Sequence, residues 1–214
     1  MSVRDAVRAP IALALTGASG AQYGLRLLEC LLAAGETVYL MYSKAAQIVV
    51  GMETDWALPA RPAEVRAALL ERFGCPPAQL QVYGREEWTA PVASGSAVCR
   101  AMAICPCTTG TLAAVAHGLS DTLIERAADV MLKEHRKLVL VVRETPFSAI
   151  HLENMLTLAR AGAVILPANP GFYHRPQCVG ELVDYIVARV LDQLGVAHAL
   201  MARWGQPDDP ETAS

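Results

Sequence analysis

Short runs of apolar residues alternate along most of the chain with longer segments in which apolar residues recur at helical spacing. The short runs, rich in β-branched and aliphatic residues, predict strands at residues 11–16, 37–42, 79–83, 101–105, 137–142 and 163–166. The periodic segments predict helices at residues 21–35, 43–52, 62–73, 108–118, 123–135, 148–162 and 178–195. Near-continuous apolar strands that are each followed by a helix are typical of a parallel sheet covered on both faces.

This alternation predicts an α/β fold of three layers, a Rossmann-like or flavodoxin-like parallel sheet with helices on both faces. We expect a single domain over residues 1–204. Residues 84–100 match neither periodicity and predict a long loop, a kind of segment that is usually functional or disordered in compact domains. The polar stretch 205–214 predicts a disordered C-terminal tail.

The composition adds an expectation about assembly and location. Of the 214 residues 53% are apolar, and the mean hydropathy is +0.30, more apolar surface than one small core uses, which predicts subunit contacts. The net charge of −3 gives no overall attraction to nucleic acid. The apolar run 11–15 is shorter than the roughly 7–15 residues of a secretory signal core. We therefore expect a cytoplasmic protein without a membrane span.

The six cysteines form no Cys-x-x-Cys pair, as is usual for a chain in a reducing compartment. Cys105 and Cys107 have a spacing that metal ligands can have, but there is no matching pair elsewhere. We interpret them as small apolar residues at the end of a buried strand and expect no metal site. The five histidines likewise show no metal or triad spacing.

Ligands of doubly wound sheets bind beyond the carboxyl ends of the strands. After the first predicted strand come Gly17, Ser19 and Gly20. Glycines let the backbone approach a phosphate, and the helix that follows offers free N–H groups and a positive dipole end. The glycine spacing is not the dinucleotide G-x-G-x-x-G pattern, so a mononucleotide fits better. The alternative is a plain tight turn with Ser19 as a helix cap.

The ends of other strands carry further polar residues, namely Ser43, the hydroxyl-rich start 108–111, Arg143 with Glu144, and Asn169 with Tyr173. Their recurrence at strand ends favours a ligand site over solvated surface charges. Arg126 and Lys133 are seven residues apart, which places them on one helix face about 10 Å apart along the axis. Alone, each is more typical of a solvated charge, as is Arg189.

Several motifs together resemble a known family, the UbiX-type flavin prenyltransferases. They are TGASGAQYGLRLL, SKAAQ, ASGS, CPCTTGTLAAVAHG, LIERAADVMLKE, RETPFSAIHLENM and ILPANPGFYHRP. The resemblance runs from about Ile11 to Trp204. It implies a flavin-binding, usually dodecameric protein that needs no metal and transfers a dimethylallyl group from dimethylallyl phosphate to reduced FMN. The prenylated flavin would serve a UbiD-type decarboxylase, often in ubiquinone biosynthesis.

The resemblance also implies roles for individual residues. Those that would contact FMN are Gly17, Ala18, Ser19, Ser43, Thr108, Thr109, Gly110, Thr111 and Arg143. Those that would hold the prenyl phosphate or wall the pocket are Tyr173, Arg189, Arg126, Lys133, Trp88 and Trp204, with Arg126 and Lys133 from a neighbouring subunit. Those that would take part in the chemistry are Ser19, Glu144 and Lys133. Thr108 stands where family members often have Ser, which keeps the hydroxyl.

Two other classes of protein remain as alternatives. The first is an FMN-dependent peptidyl-cysteine decarboxylase on a related fold, which the FYHRP motif and Glu144 disfavour. The second is a flavin carrier without chemistry of its own. A carrier would leave the cations Arg126, Lys133 and Arg189 unexplained, because it has no prenyl phosphate to bind.

Overall fold

The protein structure, a computed structural model, describes residues 9–97 and 99–201. The strands are β1 (Ile11–Leu15), β2 (Val38–Tyr42), β3 (Leu80–Tyr83), β4 (Ala101–Cys107), β5 (Lys137–Val142) and β6 (Val164–Ile165). The helices are α1 (Ala21–Ala33), α2 (Lys44–Glu53), α3 (Pro62–Phe73), α4 (Thr109–Ala116), α5 (Leu123–Lys133), α6 (Ala149–Arg160) and α7 (Val179–Leu194). Short 3₁₀ turns lie at Pro77–Gln79 and Pro91–Ala93.

The strands form one six-stranded sheet in the order β3-β2-β1-β4-β5-β6, and every neighbouring pair is parallel. This is the strand order of the Rossmann fold, in which the chain direction across the sheet reverses between the first and fourth strands. The predicted doubly wound sheet is confirmed. Its carboxyl edge between β1 and β4 is therefore the expected position for a ligand.

Two separate hydrophobic cores lie on the two faces of the sheet. In β1, Ile11 and Leu13 point to the core shared with α1 and α7, whereas Ala12 and Ala14 point to the core shared with α4, α5 and α6. All four are at most 1% exposed. Because both faces of β1 are covered, the three-layer arrangement predicted from the continuous apolar runs is confirmed.

Most element boundaries agree with the sequence prediction to within two residues. The largest difference in a strand is β4, which continues through Pro106 to Cys107 instead of ending at residue 105. The proline lacks an N–H for the ladder, and the pairing of β4 with β5 shifts register between Ile104 and Cys107. The predicted loop at 84–100 holds only the turn Pro91–Ala93 among its described residues. The predicted tail at 205–214 lies outside the described residues.

Candidate active site

The turn after β1 brings the backbone unusually close to its neighbours. A Cβ atom on Gly17 would lie 2.3 Å from the Cβ of Ala45, so only glycine fits between this turn and α2. Gly20 caps α1 with φ of 102°, a left-handed conformation that favours glycine. The abrupt end of β1 thus produces a tight turn with backbone N–H groups at the carboxyl edge of the sheet. Ala18 of this turn is buried, whereas Ser19 is exposed.

A single buried hydroxyl joins this turn to the end of β4. The Thr16 Oγ1 donates to the carbonyl of Pro106 at 2.7 Å and accepts from the N–H of Thr108 at 2.9 Å. Thr16 is 3% exposed. The hydroxyl fixes the two sides of the crevice relative to each other, although Thr16 and Thr108 are 92 residues apart in sequence.

The two helices that flank this crevice both begin at hydroxyl caps. Ser43 caps α2 by accepting from the N–H of Ala46 at 3.1 Å, and its own N–H donates to the carbonyl of Leu15 at 2.9 Å. Thr108 caps α4 by accepting from the N–H of Thr111 at 3.0 Å. Because β1 and β4 are neighbours, the cap at Thr108 and the following residues 109–111 start beside the Gly17 turn. The predicted FMN residues of these segments therefore line one crevice.

Sequence reasoning missed one acidic residue in this crevice. Glu53, the last residue of α2, accepts hydrogen bonds at Oε2 from the N–H groups of Gly20 at 2.8 Å and Ala21 at 2.9 Å. An acidic side chain is unfavourable at the C-terminus of its own helix and favourable at the N-terminus of another. A Glu directly after the predicted helix 43–52 is the signal that could have indicated a partner elsewhere.

The surroundings of Glu53 keep its carboxylate ionised. Burial raises the pKa of the Glu53 carboxyl, but hydrogen bonds from the Ser19 side chain and from two backbone N–H groups lower it further than burial raises it. The positive charge of Arg143 acts in the same direction, so the pKa lies below its ordinary value. The crevice after β1 thus contains the Glu53 carboxylate, on which the Ser19 side chain and the charge of Arg143 both act.

Arg143 and Glu144 leave β5 at the same edge, as predicted. The Nε of Arg143 is buried and has no hydrogen-bond partner among the described residues. Glu144 is half-buried, and its Oε1 accepts from the N–H of Thr145 at 3.0 Å. Within the described ranges, the structure records no hydrogen bond between Glu144 and Ser19, whose acidic partner is Glu53. A role for Glu144 remains a prediction.

The segment after β6 brings Tyr173 close to α7. The hydroxyl of Tyr173 lies 3.1 Å from that of Tyr185, a residue that sequence reasoning missed. Arg189 follows Tyr185 by one helical turn on α7, and its guanidinium pairs with Asp192 at 2.7 Å. The two residues predicted to hold a prenyl phosphate, Tyr173 and Arg189, are therefore near each other in the folded chain.

Among the described residues, Arg126 and Lys133 have partners outside the crevice. Arg126 donates through Nε to the carbonyl of Ala93 at 3.0 Å and pairs with Asp129 at 2.8 Å. Lys133, which pairs with Glu134, lies at the end of α5, four residues before β5 begins at the opposite edge of the sheet. The expectation that these cations act from a neighbouring subunit stays a prediction.

Of the two aromatic residues predicted to wall the pocket, the structure describes one. Trp88, in the loop between β3 and β4, is 48% exposed. The carbonyl of Arg85 in the same loop accepts from the N–H of Leu123 at 2.8 Å, which holds the start of this loop at α5. Trp204 lies outside the described residues.

The cysteines of β4 are buried, as the sequence predicted. Cys105 and Cys107 are 0% exposed, and burial raises the pKa of Cys107 to about 12. Within residues 9–97 and 99–201, no three His, Cys, Asp or Glu side chains are grouped so that they could hold a metal ion. None of the helices in the same ranges has the length and hydropathy of a membrane span.

The fold and the crevice are those of a flavin-binding class of protein. In agreement, the family model of the Flavoprotein family matches residues 2–191. A flavin prenyltransferase UbiX from Pseudomonas aeruginosa is 60% identical over 196 residues, which cover 92% of this chain and 94% of that protein. The flavin prenyltransferase UbiX of Alkalihalophilus pseudofirmus is 47% identical, and the match covers 90% of this chain and 94% of that protein. The chain therefore belongs to the Flavoprotein family and, within it, to the UbiX-type flavin prenyltransferases.

Two solved structures share the fold at similar coverage. A crystal structure of AnUbiX (PadA1) in complex with FMN and dimethylallyl pyrophosphate has a TM-score of 0.83 and 41% identity, covering 94% of this chain and 100% of that one. A dodecameric FMN-dependent UbiX-like decarboxylase from Escherichia coli O157:H7 has a TM-score of 0.82 and 39% identity, covering 92% and 100%.

Proposed function

We propose that the protein transfers a dimethylallyl group from dimethylallyl phosphate to reduced FMN, and that the prenylated FMN goes to a UbiD-type decarboxylase. The observation that carries this proposal is the crevice between β1 and β4, where the Ser19 side chain and the charge of Arg143 both act on the Glu53 carboxylate and the Nε of Arg143 is buried. The family membership and the FMN-bound relative support it. We place the reaction in the cytoplasm, in ubiquinone biosynthesis.

The residues of the crevice fit a flavin mononucleotide. Gly17 lets the turn after β1 pack directly against α2, and the Nε of Arg143, without a hydrogen-bond partner among the described residues, offers a buried donor to an acceptor atom of a ligand. The caps Ser43 and Thr108 begin two helices whose N-termini favour negative charge. Reduced FMN bound here would supply the electron-rich ring that receives the dimethylallyl group.

The donor phosphate needs positive charge when it leaves. Without a metal, protein cations and hydroxyls have to neutralise it, and a guanidinium can do so with two parallel hydrogen bonds. Arg189 and Tyr173 are the pair that we assign to this group. The guanidinium of Arg189 remains half-exposed beside Asp192, with 51% of its side chain exposed. An incoming phosphate can therefore reach it.

Proton transfer is assigned to side chains of the crevice. The Ser19 side chain is near enough to the Glu53 carboxylate to lower its pKa, and we propose that a proton passes between these two groups. Glu144 lies next to Arg143 at the same edge and is the second carboxyl group that we propose for acid–base work. Trp88, together with the flavin, would provide an aromatic wall for the allylic carbon as the phosphate departs.

Mass spectrometry of the flavin after anaerobic incubation with reduced FMN and dimethylallyl phosphate tests the proposed function. The expected product is FMN with one added dimethylallyl group. A parallel incubation with a peptide ending in cysteine and oxidised FMN tests the decarboxylase alternative. Unchanged FMN in the first reaction, together with loss of carbon dioxide from the peptide in the second, would overturn the proposal.

We further propose that the protein works as a homo-oligomer, a dodecamer like the relative from Escherichia coli. Large apolar side chains lie exposed on α6, namely Ile150 at 67%, Leu152 at 53% and Leu156 at 50%. Leu152 and Leu156 are one turn apart and form a stripe that a second copy can cover. Such packing would also allow Lys133 of one copy to reach the crevice of another.

We expect the purified protein to elute well beyond the size of a dimer and to carry FMN visible by absorbance. Burial of the α6 stripe between copies is the physical reason for the large assembly. Light scattering at micromolar concentration measures it, with Leu156→Glu as the variant that should give smaller species. A monomeric wild-type protein would contradict the assembly and the shared site.

Substitutions at the assigned phosphate residues should weaken use of the donor while FMN stays bound. A hydrogen bond to a charged group contributes about 1.5–3 kcal/mol, so Tyr173→Phe and Arg189→Ala should each lower donor affinity about 10- to 150-fold. The measurements are donor dependence of the prenylation rate and FMN binding by fluorescence. Loss of FMN with unchanged donor affinity would show that these residues serve the flavin instead.

A further inference from the structure

Tyr185 of α7 holds the segment after β6 by contacting three of its residues. Its hydroxyl lies 3.1 Å from that of Tyr173, and the two rings meet edge to face with centroids 6.3 Å apart. The ring of His174 stacks on the Tyr185 ring at 5.6 Å with only 8° between the planes. These contacts fix both the backbone course and the side-chain direction of residues 173 and 174.

The third residue that Tyr185 contacts is Gly171, which precedes Tyr173 by two residues. A Cβ atom at Gly171 would lie 2.9 Å from the Tyr185 ring carbon that bears the hydroxyl and 3.0 Å from the hydroxyl oxygen. The segment therefore passes so close to Tyr185 that a side chain at position 171 would displace it. The aromatic ring acts as the surface on which the segment rests.

The surroundings of Tyr185 are consistent with this contact. The hydrogen bond to Tyr173 raises the pKa of Tyr185, followed by burial and the proximity of Tyr173, while the charge of Arg189 lowers it. The protonated phenol of Tyr185 is therefore the form that makes the contact with Tyr173.

We propose that Tyr185 is a positioning residue for the donor phosphate, which it serves by fixing Tyr173 next to Arg189. Tyr185 and Arg189 are four residues apart and therefore share one face of α7. The same helix face thus supplies the phosphate-binding guanidinium and the support for the phosphate-binding phenol. This inference rests on the proposed function, because it concerns the same donor.

The Tyr185→Phe variant tests the proposal because it keeps the ring under Gly171 and His174 and removes only the hydroxyl. A neutral hydrogen bond of this kind corresponds to about a 2- to 10-fold change. We expect KM for dimethylallyl phosphate to rise by that factor, with kcat and FMN affinity unchanged. Tyr39→Phe, which removes a hydroxyl from the aromatic pair that Tyr39 of β2 forms with Tyr83 of β3, is the matched control.

A double-mutant cycle shows whether Tyr185 acts through Tyr173. In a Tyr173→Phe background, Tyr185→Phe should have no further effect on KM, because the hydroxyl that it orients is absent. Gly171→Ala, which displaces the same segment without changing either tyrosine, should also raise KM. An unchanged KM in Tyr185→Phe, or full additivity in the cycle, would overturn the inference. Failure of the wild-type protein to prenylate FMN would instead overturn the proposed function.

Discussion

The Glu144→Gln variant is expected to fold, assemble and bind FMN, yet to form prenylated flavin about 10²- to 10⁴-fold more slowly than the wild type. The amide keeps the size and hydrogen-bonding reach of the carboxyl group but cannot exchange a proton. Glu144 lies next to Arg143 where β5 ends, and its Oε1 accepts from the N–H of Thr145, a bond that the amide oxygen can also make. The loss should therefore be in chemistry rather than in folding.

Single-turnover anaerobic mixing, followed by the absorbance and mass of the extracted flavin, measures this rate. Glu71→Gln makes the same chemical change at an exposed position of α3 and should leave the rate unaltered. A wild-type rate in Glu144→Gln would remove Glu144 from the mechanism. The role would then fall to the other carboxyl group of the crevice.

The second large effect is expected at Glu53, the other carboxyl group of the crevice. We expect Glu53→Gln to slow prenylation about 10²- to 10⁴-fold as well, because it removes the carboxylate whose pKa the Ser19 side chain lowers. The glutamine oxygen can still accept from the N–H groups of Gly20 and Ala21. The turn should therefore keep its shape, and FMN binding by fluorescence should stay within a few-fold of the wild type.

The lowered pKa of Glu53 predicts a difference between Glu53→Gln and the wild type in stability at acidic pH. Because the folded-state pKa lies below 4.5, the ionised carboxylate stabilises the fold above the unfolded-state pKa, and this contribution is lost as the pH falls through the folded-state pKa. On moving from neutral pH to well below 4.5, Glu53→Gln should lose less thermal stability than the wild type. Equal losses in both proteins would show that the carboxylate does not stabilise the turn.

Much of the site could be predicted because a parallel sheet collects its strand ends at one edge. The Gly17 turn, the caps Ser43 and Thr108, and Arg143 each follow an apolar run directly, so local pattern was enough to place them together. The element boundaries followed from the same periodicity. The exception in β4 arose at Pro106, where local propensity argues against a strand and the surrounding sheet overrides it.

Glu53 and Tyr185 could not be predicted because their contacts depend on tertiary packing. Glu53 meets Gly20 across 33 residues of sequence, and Tyr185 meets Tyr173 across 12. Each lies within a helical segment whose periodicity records only which face is apolar. The partner of such a side chain is set by how α2 packs against α1, or α7 against the segment after β6, which one sequence does not encode locally.

The position of the α5 cations relative to a crevice could not be predicted for a different reason. Arg126 and Lys133 share a helix whose apolar face was evident, but α5 runs away from the crevice, so Lys133 ends near the opposite edge of its own sheet. Under the proposed assembly, the arrangement of several copies would decide which crevice it faces. Periodicity within one chain contains no information on that arrangement.

The hydroxyl of Thr16 makes the site unequally tolerant of change. Most residues that line the crevice contact only the segment to which they belong, so a substitution at one of them alters that segment alone. Thr16 instead bonds at once to Pro106 and Thr108, at the start of the opposite wall. A change at this position would therefore shift the turn after β1 and the start of α4 together, whereas a change within either segment would leave the other in place.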